Sequence, residues 1–208
     1  MSGTNNKYLF CNGLPVSRAS FDAEARSSNK DFIRHFIADR IKYNRSHDWR
    51  GYERHLVRPY QTMKKAFGSY GFEFLDECSS SMLGEKMAVP YYGVIIFFSH
   101  CIHNDTPDEA VECFDGLIPS EKIVSMMPDS INRIYDFSVC RPGWLVKQAN
   151  LRKPNNIIGA SESFIPLNVW LLIYTETFSR MVKGRLDFTK AFHATIRAAY
   201  NNKKQISS

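Results

Sequence analysis

A chain of 208 residues with 44% hydrophobic content, fifteen Phe, ten Tyr and three Trp can bury a substantial core, which excludes a disordered or low-complexity protein. Its net charge of +6 comes in three blocks: residues 30–70 hold ten Lys/Arg against four Asp/Glu, residues 71–140 three against twelve, and residues 141–208 eleven against three. Five widely spaced cysteines (Cys11, Cys78, Cys101, Cys113, Cys140) without a CxxC pair argue against a disulfide framework, and no apolar run approaches the roughly 18–20 residues of a membrane span.

Residues 1–27 read as an arm, polar with short apolar patches such as Tyr8-Leu9-Phe10 and a turn at Asn12-Gly13. Their start lacks the charged segment and long apolar run of a secretion signal, so the expected location is cytoplasmic, or the virion for a viral protein. Residues 28–45 have the spacing of an amphipathic helix, with Phe32, Ile33, Phe36, Ile37 and Ile41 on one stripe. Arg40 falls on that stripe. Residues 49–67 continue the basic block as a helix to Val57, a break imposed by Pro59, and a second helix to Phe67. A short helix is expected within 72–87.

Residues 89–103 are the most apolar stretch, and periodicity does not decide between buried helix and buried strand. Thr106-Pro107-Asp108-Glu109 reads as a helix start with acids in the first turn, closed by Gly116. The 145–163 segment, with Lys153-Pro154-Asn155-Asn156 and Gly159, reads as a loop and lobe boundary. A long helix follows over 164–183, and Asp187 caps a final one, with Lys190, His193, Arg197 and Lys204 sharing a face. The expected fold is mainly α: a compact body of roughly eight helices with an extended N-terminal arm. It divides into an arm (1–27), a basic-then-acidic lobe (28–150), a basic lobe (151–202) and a tail (203–208).

Like charge gathered in blocks suits a polyanion partner. The candidate nucleic-acid surface comprises Arg34, Lys42, Arg45, Arg50, Arg54, Arg58, Lys64 and Lys65 from the first basic block, and Arg152, Lys153, Lys183, Arg185, Lys190 and Arg197 from the second. Tyr43, Trp49, Tyr52 and Tyr60, interleaved with the first set, are candidates for stacking on unpaired bases. Zinc ligation by His100, Cys101, His103 and Cys113 lacks a ligand knuckle, and adjacent His100-Cys101 aim poorly at one ion. His47-Asp48, Glu53 and His55, or Asp108, Glu109 and Glu112, are the acidic and histidine clusters a metal-dependent nuclease would need. No nucleophile-elbow, P-loop or dinucleotide motif is present. The expected function is therefore non-enzymatic: a coat or nucleocapsid-type protein, self-assembling as a homo-oligomer around single-stranded nucleic acid, expected to be RNA, with no cofactor. A small nuclease and a matrix or adaptor protein on an acidic membrane surface or protein partner are the alternatives.

Overall fold

The computed structural model describes residues 7–27, 32, 33, 36, 48–162 and 165–206, with side chains to residue 201. Five strands form one parallel sheet: β1 (Lys7–Asn12), β2 (Phe72–Leu75), β3 (Tyr92–Phe98), β7 (Ile134–Ser138) and β8 (Ile157–Ala160), in the spatial order β2-β1-β3-β7-β8. Three short strands, β4 (Cys101–Ile102), β5 (Ala110–Cys113) and β6 (Gly116–Pro119), make a small antiparallel sheet just beyond β3. Among the elements whose residues are described throughout, the helices are α1 (Arg18–Ala25), α2 (Trp49–Tyr52), α3 (Arg58–Phe67), α4 (Ser80–Ala88), α5 (Ser120–Met126), α6 (Gly143–Arg152), α7 (Leu167–Gly184) and α8 (Phe188–Ile206).

The helices cover both faces of the sheet. On one face Phe21, Tyr60, Trp170, Phe178 and Phe188, from α1, α3, α7 and α8, pack on Phe10, Ile96 and Phe98. On the other, Leu83, Ile123 and Leu145, from α4, α5 and α6, pack on Leu9, Ile95 and Phe137. Phe10 is the hub of the first layer, with the rings of Tyr60, Phe74, Phe98, Tyr174 and Phe178 centred 5.5–6.5 Å from its own. The aromatic density of the composition is thus spent largely on this core, where each ring buries a large apolar area.

Several expectations are corrected. The fold is mixed α/β, 52% helical and 20% strand, rather than mainly α. The ambiguous apolar stretch contains strand β3; its two faces are both covered, which erases the period-two alternation of a half-exposed strand. The expected arm contains β1, which lies between β2 and β3 and pairs with both. Thr106–Glu109 starts no helix: the chain turns there and runs into the β5–β6 hairpin, where Gly116 has φ of 139°. Within 72–87 the chain first forms β2 and only then α4. The expected loop over 145–163 holds most of α6 and the edge strand β8, so the sheet runs through the expected lobe boundary.

Pro59 does not break its helix. A π-helical turn at Glu53–Val57 joins α2 to α3, and the Arg58 N–H donates to Glu53 O, five residues back. Pro59, second in α3, has no N–H to donate, and the π-helical turn directly precedes it. Asp187 caps α8 as expected, its Oδ1 accepting the Lys190 N–H at 2.9 Å. The helix read over 28–45 lies for the most part outside the described residues.

Candidate active site at the carboxyl edge of the sheet

After β1 the chain crosses to β2 on one side, and afterwards builds β3, β7 and β8 on the other. This reversal is a topological switch point, and in open parallel sheets ligands bind beyond the carboxyl ends of the strands near it. His100 lies two residues beyond the end of β3, and Cys140 two residues beyond the end of β7. The two strands pair in register through Phe98↔Ser138, and the Ser99 N–H continues the ladder to Ser138 O at 3.3 Å. The same register, counted on by two residues along each chain, matches position 100 with position 140.

Alternation also sets the face. Val94, Ile96 and Phe98 point into the layer of α3 and α7, and His100 continues that row. Both side chains line one cavity of about 340 Å³. Its described walls are Phe32 and Phe36, His55 and Leu56 of the π-helical turn, and residues 165–168 at the start of α7. The Phe32 ring lies 5.5 Å from the His100 ring. No Asp, Glu, Lys or Arg is among these residues. Burial alone pushes the Cys140 thiol up to about 11, so the resting group keeps its proton at neutral pH.

The backbone around Cys140 is held in unusual geometry. Arg141 has φ of 46°, His103 of 52° and Asp105 of 63°, all in the left-handed region that side chains disfavour. Contacts between the 103–109 and 140–145 segments hold it there. Asn104 Nδ2 donates to the carbonyls of Cys140 and Arg141, and the Arg141 guanidinium meets Asp105 at 3.2 Å. A Cβ at Gly143 would lie 1.4 Å from Asp105 Oδ1, so a larger residue there would turn the Asp105 side chain out of its present place. Glu109, 1% exposed, accepts from the backbone N–H groups of Asp105, Trp144 and Leu145 and from Ser120 Oγ. It therefore caps α6, the helix that begins three residues after Cys140.

A second cavity, of about 600 Å³, lies beside the Cys140–Arg141 segment. Asp105, Arg141, Lys147 and Glu162 make its lining charged. Among the described residues no group of three or more His, Cys, Asp or Glu could hold a metal. Strand alternation separates the suggested zinc set, since Cys101 belongs to the opposite core layer from the row His100 continues.

The basic residues singled out from sequence are dispersed. Arg34, Lys42, Tyr43 and Arg45 lie outside the described residues. Arg50, Arg54, Arg58 and Lys65 are exposed along α2, the π-helical turn and α3; Arg58 pairs with Glu53 at 3.2 Å and half-buried Lys64 with Asp76 at 2.6 Å. Lys183, Arg185, Lys190 and Arg197 are exposed at the end of α7 and on α8, in the same layer, with Lys190 paired to Asp187. Arg152 and Lys153 close α6 on the opposite layer, and Lys153 pairs with Asp129. Tyr52 and Tyr60 are each 1% exposed, with hydroxyls donated to Pro15 O and Asp76, so their rings offer no face to a base. Trp49 packs on Phe21 and Tyr52.

No described helix is long and apolar enough to cross a membrane. No protein-family model matches this chain, and no curated protein matches it in sequence. What its geometry defines is a doubly wound α/β domain with a histidine and a cysteine at the carboxyl edge of its sheet.

Sequence reasoning weighed His100 only as a metal ligand and Cys140 only as a reduced thiol. The available signal was positional: His100 lies two residues past the apolar run Val94–Phe98, and Cys140 directly follows the alternating stretch Ile134–Val139. It acquires meaning only once both runs are known to be neighbouring parallel strands.

Proposed function

We propose that the domain is a thiol-dependent acyl hydrolase of the peptidase type, with Cys140 as nucleophile and His100 as general base. The observation that carries this reading is that both side chains line one cavity at the carboxyl edge, delivered by adjacent strands in register. Cysteine is a strong nucleophile once its proton is removed, and a histidine beside it is the usual means. Sequence separation is no obstacle, because such pairs meet in space rather than along the chain. The order, histidine after one strand and cysteine some forty residues on, is that of the caspase type, whose signature continues Cys with Arg, Gln or Gly. Here Ser138-Val139-Cys140-Arg141-Pro142 keeps the Cys-Arg step and departs on either side of it.

In the proposed reaction His100 takes the Cys140 proton as Sγ bonds to the substrate carbonyl carbon. The tetrahedral oxyanion forms near the N-terminus of α7, whose positive dipole end opens onto the cavity at Leu167-Asn168. The imidazolium then protonates the leaving amine as the C–N bond breaks. A water, deprotonated by His100, cleaves the resulting thioester and restores the thiol. The high resting thiol value fits a nucleophile deprotonated as it attacks rather than a standing ion pair.

The test is hydrolysis of a fluorogenic peptide library by the full chain and by its Cys140→Ala and His100→Ala variants. Loss of about 10²-fold or more in each variant, with unchanged melting, is expected. Wild-type rates in both variants would remove the reading.

A second reading is favoured by one observation: most described cations of both basic blocks sit on α2, α3, α7 and α8, helices of one layer. That layer suits a polyanion such as single-stranded RNA, bound through phosphates with steep salt dependence. Titration of a labelled oligonucleotide at two salt concentrations tests it, and salt-independent or absent binding removes it.

A further inference from the structure

We infer that the cavity at the Cys140–His100 pair selects a large apolar side chain on the acyl portion of its substrate; this rests on the thiol-hydrolase reading above. Six of the described residues around it are apolar: Phe32, Phe36, Leu56, Ile165, Pro166 and Leu167. The remaining described lining beyond the pair itself is His55 and Asn168. Those two polar groups can orient a peptide, and among the described lining residues there is no Asp, Glu, Lys or Arg to pair a substrate charge. A charged side chain entering this space would give up its hydration without a partner, which is costly. A Phe or Leu side chain would exchange water for the Phe32, Phe36 and Leu56 surfaces. At about 340 Å³ the cavity has room for one such group and the adjoining peptide unit.

Its neighbour sharpens the assignment. The charged cavity beside Cys140–Arg141, lined by Asp105, Arg141, Lys147 and Glu162, is the seat that an acidic or basic side chain would take. The nucleophile's own side chain lines the apolar cavity, and Cys140 is absent from the lining of the charged one. Discrimination by a pocket of this kind, with no charge partner to reward, is expected at about 10- to 100-fold.

The experiment uses four acyloxymethyl ketone peptides that differ only in the residue beside the electrophile: Phe, Leu, Asp or Lys. Labelling of Cys140 in the full chain is timed by mass spectrometry, in wild type and in His100→Ala. The Phe and Leu probes should label Cys140 at least tenfold faster than the Asp and Lys probes, and His100→Ala should slow all four. Ile165→Asp, at a half-buried position on the wall, should reduce the Phe preference and raise the Lys rate; a circular-dichroism melt confirms that it folds. Labelling that depends on His100 but is fastest with Asp or Lys, or equal for all four, overturns the apolar selection and leaves the hydrolase reading standing. Labelling indifferent to His100 with every probe overturns the hydrolase reading itself.

Discussion

Glu109 Oε1 accepts the backbone N–H of Leu145 at 2.7 Å across thirty-six residues of sequence. The sequence predicts Glu109 in the first turn of a helix that starts at Thr106-Pro107. It does serve a helix N-terminus, but that of α6. Its carboxylate accepts the Trp144 and Leu145 N–H groups of α6, whose N-cap residue Pro142 has no side-chain acceptor to offer them.

Glu109→Ala should therefore destabilise the chain by roughly 3–5 kcal/mol, because several buried donors lose a charged acceptor at once. Glu109→Gln keeps the shape and should cost less, since one amide oxygen still accepts. Urea unfolding of the two variants checks both the loss and its order.

Asp136 lies on β7 four residues before Cys140 and on the same face, 3% exposed. Burial pushes its carboxyl up to about 6, a rise partly opposed by the Tyr174 hydroxyl. The folded chain thus holds this proton more tightly than the unfolded one. Its contribution is fully present below about pH 4 and is lost as pH rises through about 6, some 3 kcal/mol in all. Asp136→Asn should remove that decline. The difference in unfolding free energy between wild type and variant, measured from pH 4 to 8, should change across that window and be flat above it.

Gly13 follows β1 at the switch point. A Cβ there would lie 2.9 Å from Glu112 O and from Ser99 Oγ, and 3.2 Å from the Phe97 ring. One of these contacts is backbone and cannot rotate away. Gly13→Ala should cost about 1–3 kcal/mol, and displacement of Ser99 would disturb the segment carrying His100. A thermal melt gives the stability; a fall in hydrolysis beyond the melted fraction gives the effect on the site.

For Cys140, a thiol held near 11 by burial is almost entirely protonated at pH 7. Alkylation of the free protein by iodoacetamide should rise about tenfold per pH unit between pH 7 and 10, following the thiolate fraction. Site-resolved mass spectrometry measures it, and a plateau below pH 9 would mean a thiolate already paired.

Local chemistry was legible where it was sufficient. The Asp187 cap, the helix running to Gly184 and the amphipathic 58–67 segment follow from caps and a one-sided apolar stripe, which need no distant partner. Strands β1 and β3 were not, because a strand buried on both faces leaves no alternation to read, and β1 looks like an arm when β2 and β3 are out of view.

By itself the sequence determined that a large aromatic core would form, that the cysteines are free, and that charge would fall in basic–acidic–basic blocks. The tertiary structure decided what those features mean. It placed the acidic Glu109 and Glu112 inside, where they accept backbone hydrogen bonds. It set Arg50, Arg58, Lys65, Lys183, Lys190 and Arg197 on exposed positions of helices. It brought His100 and Cys140 to the lining of one cavity, because parallel pairing aligns strand ends that lie far apart along the chain, a nonlocal relation that no window of sequence contains.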